Sequence, residues 1–289
     1  MISVVIPVHN EEKNIKPLYE ELKKVLETLG EDYEIIYVND GSTDRSAEIL
    51  LELKRKDPRI RVLEMDTNRG EAAALTAGFW HARGEVVVSL DGDGQNDPAY
   101  IPQLLAKLRE GYQVVSGRRL KRKEPFLTRV LPSLVANHLI GFVTGVRVKD
   151  NGCSLKAYRA EVVRRVQIPH GFHRFIPAVF GVRNEEVAEI PVVDRPRRFG
   201  RSHYGLTRTF EVLRELLTFP FLQRTKAWRR VFWLSGILSS LLGGKAWRKN
   251  LSRGLLGFSL GGASFLVAAN LLRFERAQQK GVFRVRELF

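Results

Sequence analysis

The amino-acid sequence predicts an α/β fold, in which a mostly parallel β-sheet is covered by helices on both faces. Short runs rich in β-branched residues alternate along the first part of the chain with longer amphipathic stretches. The runs are almost continuously apolar, which is typical of strands that are buried on both faces. A regular alternation of this kind indicates strands joined by helical crossovers.

Each predicted strand is followed by a predicted helix, except the last. The strands are expected at residues 2–8, 33–39, 60–65, 85–91 and 113–117. The helices are expected at residues 11–29, 43–56, 70–82 and 98–109. Apolar residues recur in these longer stretches at helical spacing, so each helix can bury one face against the sheet.

The composition is that of a folded protein with a sizeable core. The chain has 289 residues, of which 44% are hydrophobic and 27% are charged. These values exclude disordered, collagen-like and coiled-coil proteins. The single cysteine, Cys153, cannot form an internal disulfide, so a reducing compartment is expected.

The positive charge is concentrated in the last third of the chain. Residues 1–194 contain 28 basic and 28 acidic residues, whereas residues 195–289 contain 19 basic and 4 acidic residues. A neutral part followed by a basic, apolar part indicates docking on an anionic surface such as a membrane or a nucleic acid. The aromatic residues cluster in the apolar tail and do not form a basic aromatic groove, so no nucleic-acid partner is expected.

The tail has the features of a membrane-attached segment. Residues 254–272 are 19 consecutive uncharged positions, and residues 231–244 are 14. A transmembrane helix needs roughly 17–25 apolar residues, so the first stretch is long enough and the second is marginal. Trp228, Trp233 and Trp247 lie near basic residues, as at a bilayer interface.

Several arrangements of the tail remain open at this point. It could be a buried helical hairpin of a soluble protein, one span after an interfacial helix, or two spans. Two spans would place the basic loop 245–253 on the far side, against the positive-inside tendency. We expect a catalytic domain over residues 1–220, followed over 221–289 by a basic interfacial helix and one or two membrane-spanning helices.

Polar residues follow every predicted strand at its carboxyl end. They include Asn10 and Glu11 after the first strand, Asp40 after the second and Arg118 after the fifth. Ligands of open α/β sheets bind beyond the carboxyl ends of the strands. The sequence therefore predicts a functional site at this edge of the sheet.

The sequence DGDGQ after the fourth strand is the strongest chemical signal. Asp91 and Asp93 are expected to project the same way from an extended segment, with Gln95 on the same side. Two close carboxylates repel each other unless a cation or a proton lies between them. Oxygen ligands of this kind suit Mg²⁺ or Mn²⁺.

Six motifs occur in an order that resembles the family 2 glycosyltransferases. They are IPVHNEEKNI, VNDGSTD, NRGEAAALTAG, DGDGQNDP, DNGCSLKAYR and RRFGRSHYG. More narrowly, the chain resembles the polyprenyl-phosphate glycosyltransferases typified by dolichol-phosphate mannose synthase, over about residues 1–220. The resemblance implies a GT-A fold (Rossmann-like), a UDP- or GDP-linked sugar donor, a divalent metal and a polyprenyl-phosphate acceptor.

The resemblance also implies roles for individual residues. Asp91, Asp93 and Arg118 would be the catalytic residues, and Asp93, Gln95 and Asp91 would hold the metal. The residues implied in binding the nucleotide-sugar are Pro7, Asn10, Glu11, Asp40, Asp91, Arg197, Ser202 and His203. Those implied in binding the acceptor are Arg118, Arg129, Ser154 and His173. His203 stands where the family has a lysine, so a fixed positive charge is missing there.

We therefore expect a membrane-bound, inverting glycosyltransferase that works at the cytoplasmic face. An acceptor phosphate is largely ionised at neutral pH and needs no dedicated general base. One alternative is transfer to another membrane acceptor, such as a glycolipid or a polysaccharide. A second alternative is a non-catalytic docking protein on the same scaffold. The sequence does not identify the sugar, the isoprenoid length or the oligomeric state.

Overall fold

A computed structural model describes residues 1–120, 131–164, 166–196, 214–247, 251–280 and 283–288. The chain divides into two compact units. The first comprises Met1–Gly205 together with Gly281–Phe289, and the second comprises Leu206–Lys280.

The first unit is built on one β-sheet, which has eight strands among the described residues. The strands are β1 (Ile2–Val8), β2 (Tyr33–Asn39), β3 (Ile60–Met65), β4 (Val86–Ser89), β5 (Val114–Arg119), β6 (Lys156–Arg159), β7 (Val187–Val192) and β8 (Val285–Leu288). Their order across the sheet is β7-β5-β6-β4-β1-β2-β3-β8.

The middle of the sheet is parallel, as predicted. β1 pairs in parallel with both β2 and β4, and β2 pairs in parallel with β3. β2 is buried at all seven positions, because helices cover both of its faces. The predicted α/β fold is confirmed, although β6 and β8 join the sheet in antiparallel orientation and make it mixed.

The first four helices follow the strands as the sequence predicts, and α5 to α7 are additional helices that it did not predict. In chain order they are α1 (Ile15–Thr28), α2 (Ser46–Lys56), α3 (Glu71–His81), α4 (Ile101–Arg109), α5 (Leu131–Thr144), α6 (Ala160–Val163), α7 (Ile176–Val179), α8 (Thr225–Trp247) and α9 (Leu251–Lys280). α1 and α2 begin three or four residues later than expected, because the residues ahead of them form loops at the carboxyl ends of β1 and β2. α3 lies close to the sheet, since a Cβ atom on Gly78 would come within 2.2 Å of Val5.

The end of the chain returns to the sheet as β8. It pairs antiparallel with β3, and the carbonyl of Arg284 accepts a hydrogen bond from the Asp66 amide at 3.2 Å. The carboxylate of Glu287 receives two hydrogen bonds from Arg61, at 2.6 and 2.9 Å. The sequence analysis placed these residues in the helical tail and did not predict this strand, because four residues of which two are charged give little signal after a long helix.

The second unit contains the antiparallel helical hairpin α8–α9. Glycines on both helices let the backbones approach closely: a Cβ on Gly257 would lie 2.5 Å from the Gly243 Cα, and one on Gly254 would lie 2.7 Å from the Trp247 Cα. Leucines on the outer faces are exposed, including Leu234 and Leu266. Within the described residues, α9 is the one helix long and apolar enough to cross a membrane.

Candidate active site

The loops that follow β1 and β2 are tied together by Asn10. Its backbone has a φ of 58°, a left-handed conformation that asparagine tolerates better than most residues. The side-chain oxygen accepts hydrogen bonds from the amides of Thr43 at 2.7 Å and Asp44 at 3.3 Å. Next to it, the Glu11 amide donates to the Ser46 hydroxyl, and the Glu11 carboxylate accepts from Asn14. Asn10 and Glu11 thus shape this edge of the sheet.

Asp40 connects the end of β2 to the loop after β3. Its two carboxylate oxygens accept hydrogen bonds from the amides of Arg69 at 2.6 Å and Gly70 at 2.8 Å. Burial raises the pKa of Asp40, while the two amides favour its ionised form. Gly70 has a φ of 88°, which lets the chain turn directly into α3. Asp40 therefore fixes the start of α3 at the site.

The DGDGQ segment is a turn, contrary to the extended conformation expected from the sequence. β4 ends at Ser89, and the chain turns at Gly92 and Asp93. Gly92 lies against the carbonyl of Pro7, where a Cβ atom would come within 2.9 Å. Asp93 is buried, and its carboxylate accepts a hydrogen bond from the Gln95 amide at 3.0 Å. β4 therefore ends before the DGDGQ segment, where Gly92 permits the close approach to Pro7 and Gly94 has a φ of 73°.

Ser154 lies between the turn and the strand β6. Its hydroxyl donates a hydrogen bond to the side-chain oxygen of Asn96 at 2.8 Å. It also lies beside the Asp91 carboxylate, whose ionised form it favours. The same Asn96 oxygen accepts from the Asp91 amide at 3.0 Å. Asn96 lies within the motif DGDGQNDP, but sequence reasoning gave it no role. Asn96 thus fixes the Asp91 backbone, and Ser154 lies against the Asp91 side chain.

A pocket opens beside Asp91. It is lined by Glu71, Leu75, Ser89, Leu90, Asp91, Ser154, Lys156, Tyr158, His173 and Ile176. Burial raises the pKa of Asp91, and repulsion from the carboxylates of Glu71 and Asp93 raises it further. Carboxylates therefore repel one another beside this pocket.

Lys156 is a pocket residue that sequence reasoning missed. It is buried, and its ammonium group donates to the carbonyl of Cys153. Burial lowers the pKa of Lys156, while Glu71 and Asp91 favour its charged form. No spacing rule distinguishes this lysine from others, since only the pairing of β6 with β4 brings it to the pocket.

The side chains of Arg118 and Arg119, at the end of β5, have different surroundings. Arg118 is half-buried there. Arg119 forms two hydrogen bonds with the Asp150 carboxylate, at 2.7 and 2.8 Å, and lies 3.6 Å from Asp194. Asp194 in turn accepts from Asn96 at 3.3 Å. The structure connects Arg119 to the turn after β4, which sequence reasoning did not anticipate.

His173 is the other predicted acceptor residue among the described part of the chain. It lines the pocket, and its Nε2 lies 3.6 Å from the carboxylate of Glu71. Arg129, Arg197, Ser202 and His203 lie outside the described residues. Within the described residues, no three His, Cys, Asp or Glu side chains are grouped as a metal site.

Comparison with known proteins assigns the chain to a family. The family model described as "Glycosyl transferase family 2" matches residues 3–167, which is more than half of the chain. The chain belongs to glycosyl transferase family 2. It is therefore a glycosyltransferase, and the resemblance seen in the sequence is confirmed.

This glycosyltransferase is also similar to a curated polyprenyl-phosphate enzyme. It is 40% identical over 230 residues to dodecaprenyl-phosphate galacturonate synthase of Rhizobium johnstonii, covering 78% of this chain and 68% of that protein. The prediction of a likeness to polyprenyl-phosphate glycosyltransferases is thereby confirmed.

Solved structures confirm the GT-A fold of this glycosyltransferase. One is glucosyl-3-phosphoglycerate synthase of Mycobacterium tuberculosis with Mn²⁺ and UDP-glucose, with a TM-score of 0.54 and 20% identity over 76% of this chain and 77% of that one. Another is mannosyl-3-phosphoglycerate synthase of Rubrobacter xylanophilus, with a TM-score of 0.58 and 14% identity over 78% and 75% of the two chains. At these identities the likeness describes the fold.

Proposed function

We propose that this glycosyltransferase transfers a sugar from a nucleotide-sugar donor to a polyprenyl phosphate at the cytoplasmic face of a membrane. The observation that carries the proposal is the 40% identity to dodecaprenyl-phosphate galacturonate synthase, which extends over 230 residues. The exposed apolar faces of α8 and α9 support the membrane location, because a polyprenyl acceptor is held in a bilayer.

The donor would bind across the carboxyl ends of β1 to β4. Asn10 and Asp40 organise the loops there, and Asp91 lies beside the pocket in contact with Ser154 and Asn96. Pro7 and Glu11 border the same edge. Arg197, Ser202 and His203 stay predicted donor residues on the strength of the motif they form. Either UDP or GDP remains compatible with these contacts.

A divalent cation fits the residues present. Asp91 and Asp93 supply carboxylate oxygens and Gln95 an amide oxygen, the all-oxygen set that Mg²⁺ and Mn²⁺ prefer. The pKa of Asp91 is raised in part by the neighbouring carboxylates, a repulsion that a bound cation would offset. When bound, the metal would neutralise negative charge on the departing diphosphate.

The transfer itself needs little from the protein beyond orientation and charge. An oxygen of the acceptor phosphate attacks the anomeric carbon, and the bond from that carbon to the nucleoside diphosphate breaks. Attack from the opposite face inverts the anomeric centre. We assign Arg118, Arg129, Ser154 and His173 to the acceptor side, where the arginines would bind and orient the phosphate.

A transfer assay with the full-length protein in detergent tests the proposal. Labelled UDP- and GDP-sugars, UDP-galacturonate included, are paired with undecaprenyl or dolichyl phosphate, with Mg²⁺, Mn²⁺ or a chelator. We expect metal-dependent label in the lipid phase with one donor. Asp93→Asn should abolish it, whereas Glu110→Gln, on an exposed carboxylate outside the site, should not.

Other outcomes contradict particular parts of the proposal. Label that enters another lipid or a polymer, and never polyprenyl phosphate, would overturn the acceptor. Full activity in the presence of chelator, or in Asp93→Asn, would overturn the metal assignment.

A further inference from the structure

The sheet of the first unit contains strands from both sides of the helical hairpin in the sequence. β7 (Val187–Val192) precedes α8 and α9, and β8 (Val285–Leu288) follows them, yet both strands belong to the same sheet. The chain therefore leaves the first unit, forms the hairpin and returns. β8 is held there by its pairing with β3 and by the contact between Arg61 and Glu287.

A hydrogen-bonded sheet cannot be divided by a bilayer, since its edge groups would lie unpaired in hydrocarbon. Both ends of the hairpin consequently lie on the side of the membrane that carries the sheet. The number of crossings between β7 and β8 must then be even. A single crossing by α9, which its length and apolar composition alone would suggest, does not satisfy this condition.

The two helices lie side by side over most of their length. Gly236 lies against Phe265, Gly243 against Gly257, and Trp247 against Gly254. The sequence numbers of each pair add to nearly the same value, as expected for two antiparallel helices in constant register. If α9 enters a bilayer, α8 must therefore enter it to a similar depth.

The lengths of the apolar stretches suit a crossing. At about 1.5 Å per residue, the uncharged part of α9 spans about 28 Å and that of α8 about 21 Å, against a hydrocarbon core of about 30 Å. Arg230 and Lys245 flank the shorter stretch, and such long side chains can extend to the interface. The outward leucines are open to lipid: Leu234 is 67% exposed and Leu266 is 74% exposed.

The basic residues favour one orientation. Seven lie at the open end of the hairpin, whereas four lie around its closed end. The seven are Arg224, Lys226, Arg229, Arg230, Arg273, Arg276 and Lys280, and the four are Lys245, Arg248, Lys249 and Arg253. Because the positive-inside rule compares the two sides, the open end belongs on the cytoplasmic face. The basic loop 245–253 is thus no obstacle to two spans.

We infer that α8 and α9 cross the membrane together as a two-span hairpin. Both ends of the hairpin then lie on the side of the membrane that carries the first unit, and Ser252 lies on the opposite side. The inference rests on the membrane attachment proposed above. It adds the number of crossings and the side of each helix end, which neither the family nor the apolar length determines.

Cysteine accessibility in sealed vesicles tests the topology. The native Cys153 is a silent background, since it is buried and its thiol pKa is raised to about 12. Four exposed positions receive a cysteine in the full-length protein: Lys24→Cys in α1 marks the catalytic unit, Lys226→Cys and Gln279→Cys mark the open end, and Ser252→Cys marks the closed end. Each is treated with a membrane-impermeant maleimide in right-side-out and inside-out vesicles.

We expect the cysteines at 24, 226 and 279 to react in inside-out vesicles only, and the cysteine at 252 in right-side-out vesicles only. Opposite sides for positions 226 and 279 would mean an odd number of crossings and would overturn the inference. Reaction of all four from one side would mean a hairpin that does not cross, which also overturns it. Recovery of the protein in the soluble fraction before labelling would instead refute the membrane attachment, and with it the hairpin.

Discussion

Ser154 illustrates how single polar groups prepare the site. Its hydroxyl donates to the Asn96 side chain and lies beside the Asp91 carboxylate, whose ionised form it favours. The turn after β4 is thereby connected to the segment that leads into β6. A hydrogen bond to a charged group contributes about 1.5–3 kcal/mol when it is intact. Ser154 is therefore expected to position Asp91 for the donor.

Replacing Ser154 by alanine should impair transfer without unfolding the protein. We expect kcat/KM to fall about tenfold, because Asp91 loses one fixed partner. Thr28→Ala is the matched control, since Thr28 bonds only to the carbonyl of Val25 on the exposed end of α1. The transfer assay and the Tm measure both variants. An unchanged kcat/KM in Ser154→Ala would contradict the positioning role.

Asp57 makes the stability of the first unit depend on pH. Its carboxylate accepts from the Tyr19 hydroxyl at 3.0 Å and from the Arg59 guanidinium at 2.8 and 2.9 Å. Hydrogen bonding to Arg59 lowers the pKa of Asp57 to about 2. A carboxyl whose pKa is lower in the folded state stabilises that state above its ordinary pKa near 4, and the contribution is lost as the pH falls towards 2.

The comparison of wild type with Asp57→Asn isolates this contribution. Between about pH 5 and pH 2, the free energy of unfolding of the wild type should fall by about 2 kcal/mol more than that of the variant. Urea unfolding of the detergent-solubilised protein at several pH values measures both. Parallel pH profiles would show that Asp57 is not the group responsible.

The residues that sequence reasoning found, and those it missed, differ in one physical respect. Asp40, Asp91 and Asp93 directly follow apolar strands, so topology alone places them at the edge where ligands bind. Glu71 and Lys156 enter the same pocket from a helix start and an antiparallel strand. The local sequence around Glu71 and Lys156 does not indicate that they lie beside Asp91 in the folded chain.

The strand β8 is attached to the sheet in part through a polar network around Arg61. Arg61 bonds to Glu34 at 2.9 Å, to the His81 carbonyl at 2.7 Å and to Glu287 on β8. The Arg61 side chain is 10% exposed and that of Glu34 is 7% exposed. The attachment of β8 thus shares its arginine with a buried carboxylate of the sheet.

The two ends of this network should respond unequally to alanine. Arg61→Ala leaves the buried Glu34 carboxylate without its ion-pair partner, although the Ser3 hydroxyl and the Arg83 amide still donate to it. We expect a loss of about 3–5 kcal/mol in the free energy of unfolding. Glu287→Ala leaves Arg61 bonded to Glu34, and the loss should be about 1–2 kcal/mol. Urea unfolding of both variants and of the double variant gives the coupling. Equal losses would show that Glu34 is solvated without Arg61.

Two glycines of the hairpin should respond to alanine in opposite directions. A Cβ on Gly243 would lie 2.9 Å from the Phe258 amide, whereas nothing lies within 4 Å of one on Gly262. Gly243→Ala should lower stability by about 1–3 kcal/mol through overpacking, and Gly262→Ala should raise it by up to about 1 kcal/mol through helix propensity. The Tm of each variant in detergent measures the sign. A rise in both would contradict the close packing of α8 and α9.

Of the five strands that were predicted, the first three have the bounds expected from the sequence, whereas β4 and β5 differ from them by one or two residues. β1, β2 and β3 are long, apolar and buried on both faces, so their bounds follow from the sequence. β6 and β8 have four residues each and carry charged side chains. Such short strands exist because a neighbouring strand offers hydrogen bonds, and local sequence does not encode that neighbour.

At the scale of the whole molecule, the proposed membrane attachment would combine two forces, the attraction of basic charges and the burial of apolar surface. Salt screens the basic charges of residues 195–289, but it does not weaken the burial of the apolar faces of α8 and α9. We expect washing of membranes with 1 M NaCl to leave the protein bound, and detergent to release it. Centrifugation and immunoblotting measure both. Release by salt would show that the attachment is mainly electrostatic.

β8 follows every other described element in the sequence, and this sets an order of events during synthesis. Every other described element, including α8 and α9, leaves the ribosome before residues 285–288 do. Until then the edge of β3 is uncovered and Arg61 lacks Glu287. The first unit therefore pairs the edge of β3 only after α8 and α9 have been made. A chain that stops before residue 285 leaves that sheet edge open, and open edges of this kind promote aggregation.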